Sequence, residues 1–160
     1  MPHFHTSRLV HHSAEKMYAL VADVERYPEF VPLCQNLSVR GRELQADGTE
    51  ILVADMSVAY GPVRETFVTR VVLNRPALTI DATYLEGPFS HLDNQWSFID
   101  RDNAGTKETS TVNFKIDYEF KSRTLGLLMG SMFDRAFRKF AEAFEDRADT
   151  VYQASSARQD

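Results

Sequence analysis

From Leu37 onward apolar and polar residues alternate with a period of two, and from Ser122 the period changes to that of a helix. The alternating region breaks into six strand candidates: Leu37–Leu44, Thr49–Tyr60, Val63–Leu73, Leu78–Leu85, His91–Ile99 and Thr106–Phe120. Asp47-Gly48, Gly61-Pro62, Asn74-Arg75-Pro76, Gly87-Pro88 and the stretch Asp100–Gly105 separate them as turns, which predicts hairpin-linked, antiparallel neighbours. The last strand alternates Val112, Phe114, Ile116, Tyr118 and Phe120 with polar residues, so one face is dry and the other wet. Between Ser122 and Tyr152 there is no proline. Apolar residues recur at Leu125, Leu128, Met129, Met132, Phe133, Ala136, Phe137, Phe140, Ala141, Phe144 and Ala148, which predicts one long amphipathic helix.

The N-terminal part is shorter in every element. His3–Val10 predicts an opening strand. Ser13 is placed to cap a short helix carrying Met17, Leu20, Val21 and Val24 on one side. Pro28 and Pro32 then forbid a continuous helix through Asp23–Pro32, leaving a broken helical connector. The element order is therefore strand, short helix, connector, six strands and long helix, an α+β domain. A seven-stranded sheet with one large helix has to curl around it to bury both apolar faces. Residues 1–152 form one domain on this reading, with 153–160 a flexible tail.

Two readings of the interior follow: a fully packed core, or a wall of four Phe and two Met on the helix that can repack around an apolar ligand. Tyr27, Phe30 and Val31 crowd apolar bulk into the connector and mark it as a lid over such a space, while Phe89 after Gly87-Pro88 is expected at the rim of its mouth. Packing of the same residues as loop caps is the alternative.

Composition narrows the function classes. Hydrophobic content of 43% and 11% aromatics in 160 residues describe one folded domain rather than a disordered chain. No run of about 18 apolar residues is present. Met1–Lys16 shows neither a secretory apolar core nor an arginine-rich leader, so a cytoplasmic chain, or one peripheral at the inner membrane, is expected. The net charge of -5 argues against DNA as a partner while leaving room for a local basic patch. Cys34 stands alone, without a partner for a disulfide or a CxxC pair, and reads as a small packing residue.

A search for chemistry finds little. His3, His5, His11 and His12 invite a metal, but no Asp, Glu or Cys at ligand spacing completes the set, and surface histidines are expected instead. His91 lacks a nucleophile and an orienting acid. No Gly-rich phosphate loop, GxSxG or HExxH occurs. Asp55, Glu65 or Glu86 would serve acid–base chemistry only by pointing into an apolar cavity.

The residues Ser13-Ala14-Glu15-x-Met17-Tyr18-x-Leu20-Val21-x-Asp23-Val24-x-x-Tyr27-Pro28-x-Phe30-x-Pro32-x-Cys34, then Gly87-Pro88-Phe89-x-x-Leu92-x-x-x-Trp96-x-Phe98 and Phe114-x-x-x-Tyr118-x-Phe120-x-Ser122, strongly resemble the coenzyme Q-binding START-like family. That family includes bacterial ribosome association toxins and borders the polyketide cyclase-like proteins. The resemblance implies a helix-grip fold, a hydrophobic tunnel between sheet and C-terminal helix, and binding of ubiquinone or a similar isoprenoid lipid in support of respiratory electron transfer. On it, the ligand-contacting residues are expected to be Tyr27, Phe30, Val31, Met56, Val58, Phe67, Tyr84, Phe89, Trp96, Phe114, Met129, Phe133 and Phe137, with no catalytic residue, no metal and no cofactor beyond the lipid ligand. Three functions are weighed. The first is a non-enzymatic carrier of an isoprenoid quinone or other hydrophobic molecule that touches a membrane surface transiently. The second is a ribosome-associating factor, which needs a basic surface such as Arg64, Arg70 and Arg75. The third is a cyclase- or dehydratase-like enzyme, which needs an inward acid or histidine.

Overall fold

The computed structural model describes residues 3–60, 63–101 and 109–159. Strand β1 (His3–Val10) leads into α1 (Ala14–Ala22), a 3-10 connector (Val24–Glu29), and strands β2 (Cys34–Leu44), β3 (Thr49–Tyr60), β4 (Val63–Asn74), β5 (Thr79–Glu86), β6 (Phe89–Arg101) and β7 (Thr109–Phe120), and the chain finishes in α2 (Arg123–Gln159). The seven strands form one antiparallel sheet in the order β1-β7-β6-β5-β4-β3-β2. All six strands of the expected hairpin region pair antiparallel with their neighbours in sequence, through five successive pairings, and β1 closes the far side on β7 from His3 opposite Asp117 to Val10 opposite Ser110. The Gly61-Pro62 turn, most of the Asp100–Gly105 turn, and 106–108 at the expected start of the last strand lie outside the described residues.

Local chemistry explains the boundaries. Ser13 caps α1 by accepting from the Lys16 amide at 3.1 Å, and Asp100 on β6 accepts from the Ala14 amide at 2.8 Å, so two of the helix's unpaired donors are satisfied. Ala14, Met17, Tyr18 and Val21 are its buried stripe. At Asp47-Gly48 the glycine takes φ +93°, and the Asp47 carboxylate accepts from the Thr49 amide and hydroxyl. Gly87 is required twice over. Its φ is +143°, and a Cβ there would stand 2.7 Å from Cβ of Phe67.

Register shifts at Cys34/Asn36 and Val39/Gly41 in β2, at Val68/Thr69 between β4 and β5, and at Phe89/His91 in β6 add twist that bends the sheet around α2. The sheet therefore curls as the helix-grip expectation requires. α2 continues past Tyr152 to Gln159, through the stretch expected as a tail; that stretch holds Ala154, Ala157, Arg158 and Gln159 with no Gly or Pro to stop a helix. Leu128 departs from the expected dry stripe. It lies five residues before Phe133, about 140° around a helix of 3.6 residues per turn, and is 67% exposed.

Candidate functional site

A small apolar cavity of about 80 Å³ lies between the concave face of the sheet and the second half of α2. Strand alternation builds its floor: Ala54 and Met56 from β3, Phe67, Thr69 and Val71 from β4, Ile80 and Ala82 from β5, and Leu92, Asn94 and Trp96 from β6 all point the same way. Phe137, Phe140 and Phe144, spaced three and four apart, form its roof. Val24 and Tyr27 from the connector close one side.

Of the residues expected to touch a ligand, Tyr27, Met56, Phe67, Trp96 and Phe137 line this cavity. Phe114 lies one layer back, fully buried, with its ring 4.7 Å from Trp96 and 6.0 Å from Phe140. Val58 and Val31 are buried outside the cavity wall. Phe30 packs edge-on to Phe144 at 5.0 Å on the outer side of the connector. Phe89 is not a rim residue. It is fully buried, because the Gly87 reversal tucks the chain against β4 and turns the ring inward. Around it gather Phe67, Tyr84, Tyr118, Phe120 and Phe133, with ring centroids between 4.9 and 6.0 Å away. Met129 is buried on the same half of α2 as Phe133. This aromatic plug separates the cavity from an open groove of about 780 Å³ that runs between the end of β7 and the first turns of α2, along Phe120, Gly126 and Gly130.

Sequence reasoning left out Phe140, Phe144 and Asn94. The two phenylalanines carry on the stripe that starts at Phe133 and Phe137, so the signal was present. Asn94 sits between Leu92 and Trp96 at the period of two, which alone places it inside. It is the polar anchor of the floor: Trp96 Nε1 donates to its Oδ1 at 3.1 Å, and its Nδ2 donates to the Lys115 carbonyl at 2.9 Å. Thr69 adds a buried hydroxyl. Tyr27 donates to the Val21 carbonyl at 2.5 Å, and desolvation pushes its hydroxyl far above the ordinary tyrosine range, so it stays a neutral donor. Burial likewise pushes the Cys34 thiol up to about 11, as befits an inert packing residue. None of Asp55, Glu65 and Glu86 lines the cavity; Asp55 faces Arg40 at 2.8 Å.

The connector is strapped down by charge. Arg147 on α2 meets Glu29 at 2.5 Å and lies 5.0 Å over the Phe30 ring, while Arg42 on β2 meets Glu25 at 2.8 Å. The second half of α2 is tied elsewhere too: Arg8 to Glu145 at 2.6 Å, and the Tyr152 hydroxyl to the Lys16 carbonyl at 3.0 Å. His12 is a correction to the surface-histidine expectation. It is 4% exposed, and its Nε2 lies 2.7 Å from Asp149. Among the described residues no group of His, Cys, Asp and Glu is arranged to hold a metal. No described helix is long and apolar enough to cross a membrane.

Residues 10–145 match the family model described as polyketide cyclase / dehydrase and lipid transport. The chain is 34% identical to the ribosome association toxin RatA of Vibrio cholerae, over 91% of this chain and 94% of that protein. It is 30% identical to the mitochondrial coenzyme Q-binding protein COQ10 of Dictyostelium discoideum, over 89% of this chain and 66% of that one. The crystal structure of the ZhuI aromatase/cyclase from Streptomyces superposes with a TM-score of 0.78 at 16% identity, covering 96% of this chain and 97% of that one, a likeness of fold alone.

Proposed function

The chain belongs to the polyketide cyclase / dehydrase and lipid transport family, and on that footing we propose that it binds an isoprenoid quinone such as ubiquinone, or a lipid of similar shape, between the sheet and α2. It acts as a carrier or chaperone for respiratory electron transfer, without chemistry of its own. The observation that carries this reading is the cavity wall, an aromatic and aliphatic surface whose few polar side chains, Tyr27, Thr69, Asn94 and Trp96, are all uncharged. A ring bearing carbonyl oxygens suits a few neutral donors on an apolar floor, and the burial of its tail is driven at roughly 25 cal/mol per Å². Small-molecule sites usually measure about 300–1,000 Å³, so the cavity of about 80 Å³ is a closed state. Loading requires Met56, Phe140 and Phe144 to change rotamer and the connector to lift from Phe144. Similarity to COQ10 proteins supports the choice of ligand.

The test is to extract the purified, natively expressed protein with organic solvent and weigh its lipid by mass spectrometry. Near-stoichiometric isoprenoid quinone, lost from a folded Ala82→Leu variant whose larger side chain fills the cavity, is the expected result. A folded protein that yields no lipid overturns it.

A second reading, a factor that associates with ribosomes, is favoured by the 34% identity to RatA. Of the cations expected to serve it, Arg75 is paired with Glu15 and lies over the Tyr18 ring, and Arg64 donates to Gln35. Cosedimentation with ribosomal subunits that falls steeply with salt would support this reading.

A further inference from the structure

We infer that the outer face of the first half of α2 is a docking surface for an anionic lipid bilayer, the place where the cavity's ligand would be exchanged; its purpose rests on the lipid-binding reading above, but its existence does not. Leu127 is 81% and Leu128 67% exposed. The other large exposed apolar residues, such as Leu9, Leu44, Leu85 and Ile99, are scattered over separate strands, as single surface apolars commonly are. These two are adjacent, on one turn, beside the open groove at Gly126 and Gly130.

Charge selects the partner. The chain as a whole carries -5, yet from 121 to 139 it holds Lys121, Arg123, Arg135, Arg138 and Lys139 against Asp134 as the lone carboxylate. Asp134 is already matched by Arg138 at 3.0 Å. Among the described residues, the side chains of Arg123, Arg135 and Lys139 enter no ion pair or hydrogen bond, and all three are exposed. Helical spacing puts Leu127, Leu128, Ser131, Arg135, Arg138 and Lys139 on one face, an apolar tip with a cationic shaft. That pattern fits a helix lying in the interface of an anionic leaflet, leucines among the acyl chains and cations at the phosphates. RNA offers the same negative charge but nothing for two bare leucines to enter, and this face carries no exposed aromatic ring for bases to stack on.

The face also lies where a lipid would be handed over. Behind it are the groove and then the plug of Phe89, Tyr118, Phe120 and Phe133, on whose far side Phe67 and Phe137 line the cavity.

The experiment is sedimentation of the full chain with vesicles of phosphatidylcholine, with and without phosphatidylglycerol, across a salt series. Binding confined to the anionic vesicles, falling with salt, is expected. Leu127→Ser with Leu128→Ser should weaken it about tenfold or more. Arg135→Gln and Lys139→Gln should each weaken it about fivefold and flatten the salt dependence. All four positions are exposed, so circular dichroism should show an unchanged fold. Equal binding to neutral vesicles, or a folded double-serine variant that binds as well as the parent, overturns the inference. Loss of ribosomal-subunit binding in that variant with vesicle binding intact gives the face to RNA instead. Quinone extracted from the parent separates the two ideas: if it is present while the parent fails to bind anionic vesicles, the docking surface falls and the cavity reading stands.

Discussion

Between Phe137 and Tyr152, α2 is fastened to β1, to the entry and middle of α1 and to the connector by side chains on successive turns. Between Arg123 and Phe133 it has an N-terminal cap from Ser122 to the Leu125 amide, two buried side chains in Met129 and Phe133, and glycines at 126 and 130. The same helix is thus tied by polar side chains at one end and held by apolar packing alone at the other. Space does not demand those glycines: a Cβ at Gly130 would meet nothing within 4 Å, and one at Gly126 only Phe120 at 3.9 Å. Each costs about 1 kcal/mol of helix stability relative to alanine. The difference teaches that rigidity here is placed where the helix roofs the cavity, and softness where the cavity meets the outside.

The comparison breaks most visibly at Phe144, which roofs the cavity and receives the rings of Tyr27, Phe30 and Trp96. Phe144→Ala should lower stability by about 3–5 kcal/mol in urea denaturation; a loss under about 1 kcal/mol would mean that the second half is not the anchor. Asp149→Ala leaves the buried His12 nitrogen without its partner and should cost about 1–3 kcal/mol in the same experiment. Gly126→Ala and Gly130→Ala should sharpen the contrast by removing it: each is expected to stabilise by about 0.5–1 kcal/mol, with hydrogen exchange slowed over 123–133. Leu128→Ala, on the exposed side of the first half, should stay within about 0.5 kcal/mol of the parent, which would set it apart from every change in the anchored half.

Much of the architecture was legible because it obeys simple periods. β3 runs from Thr49 to Tyr60 and β7 ends at Phe120 as the alternation predicts, and Ser13 caps its helix as its place before Glu15 and Met17 implies. The cavity was harder to read. Periodicity places Phe133 and Phe137 on the dry face of α2, but it cannot say at what height along the helix a gap opens, so Phe133 proves to be plug and Phe140 and Phe144 roof. Phe89 was misplaced because a Gly-Pro turn announces a loop while saying nothing of which way the next ring points. His12 and Asp149 stand 137 positions apart in the chain, and no local pattern could pair them.

Gly87 gives the site a mutational asymmetry. A residue that never touches the cavity governs one of its walls, because any side chain there would press on the Cβ and Cα of Phe67 and on the Thr66 carbonyl, and β4 would have to shift. Ala54 and Ala82, by contrast, lie on the wall itself and can grow only into open space. Larger side chains at the two alanines would therefore narrow the cavity by degrees, whereas any at the glycine would disturb the strand that carries its wall.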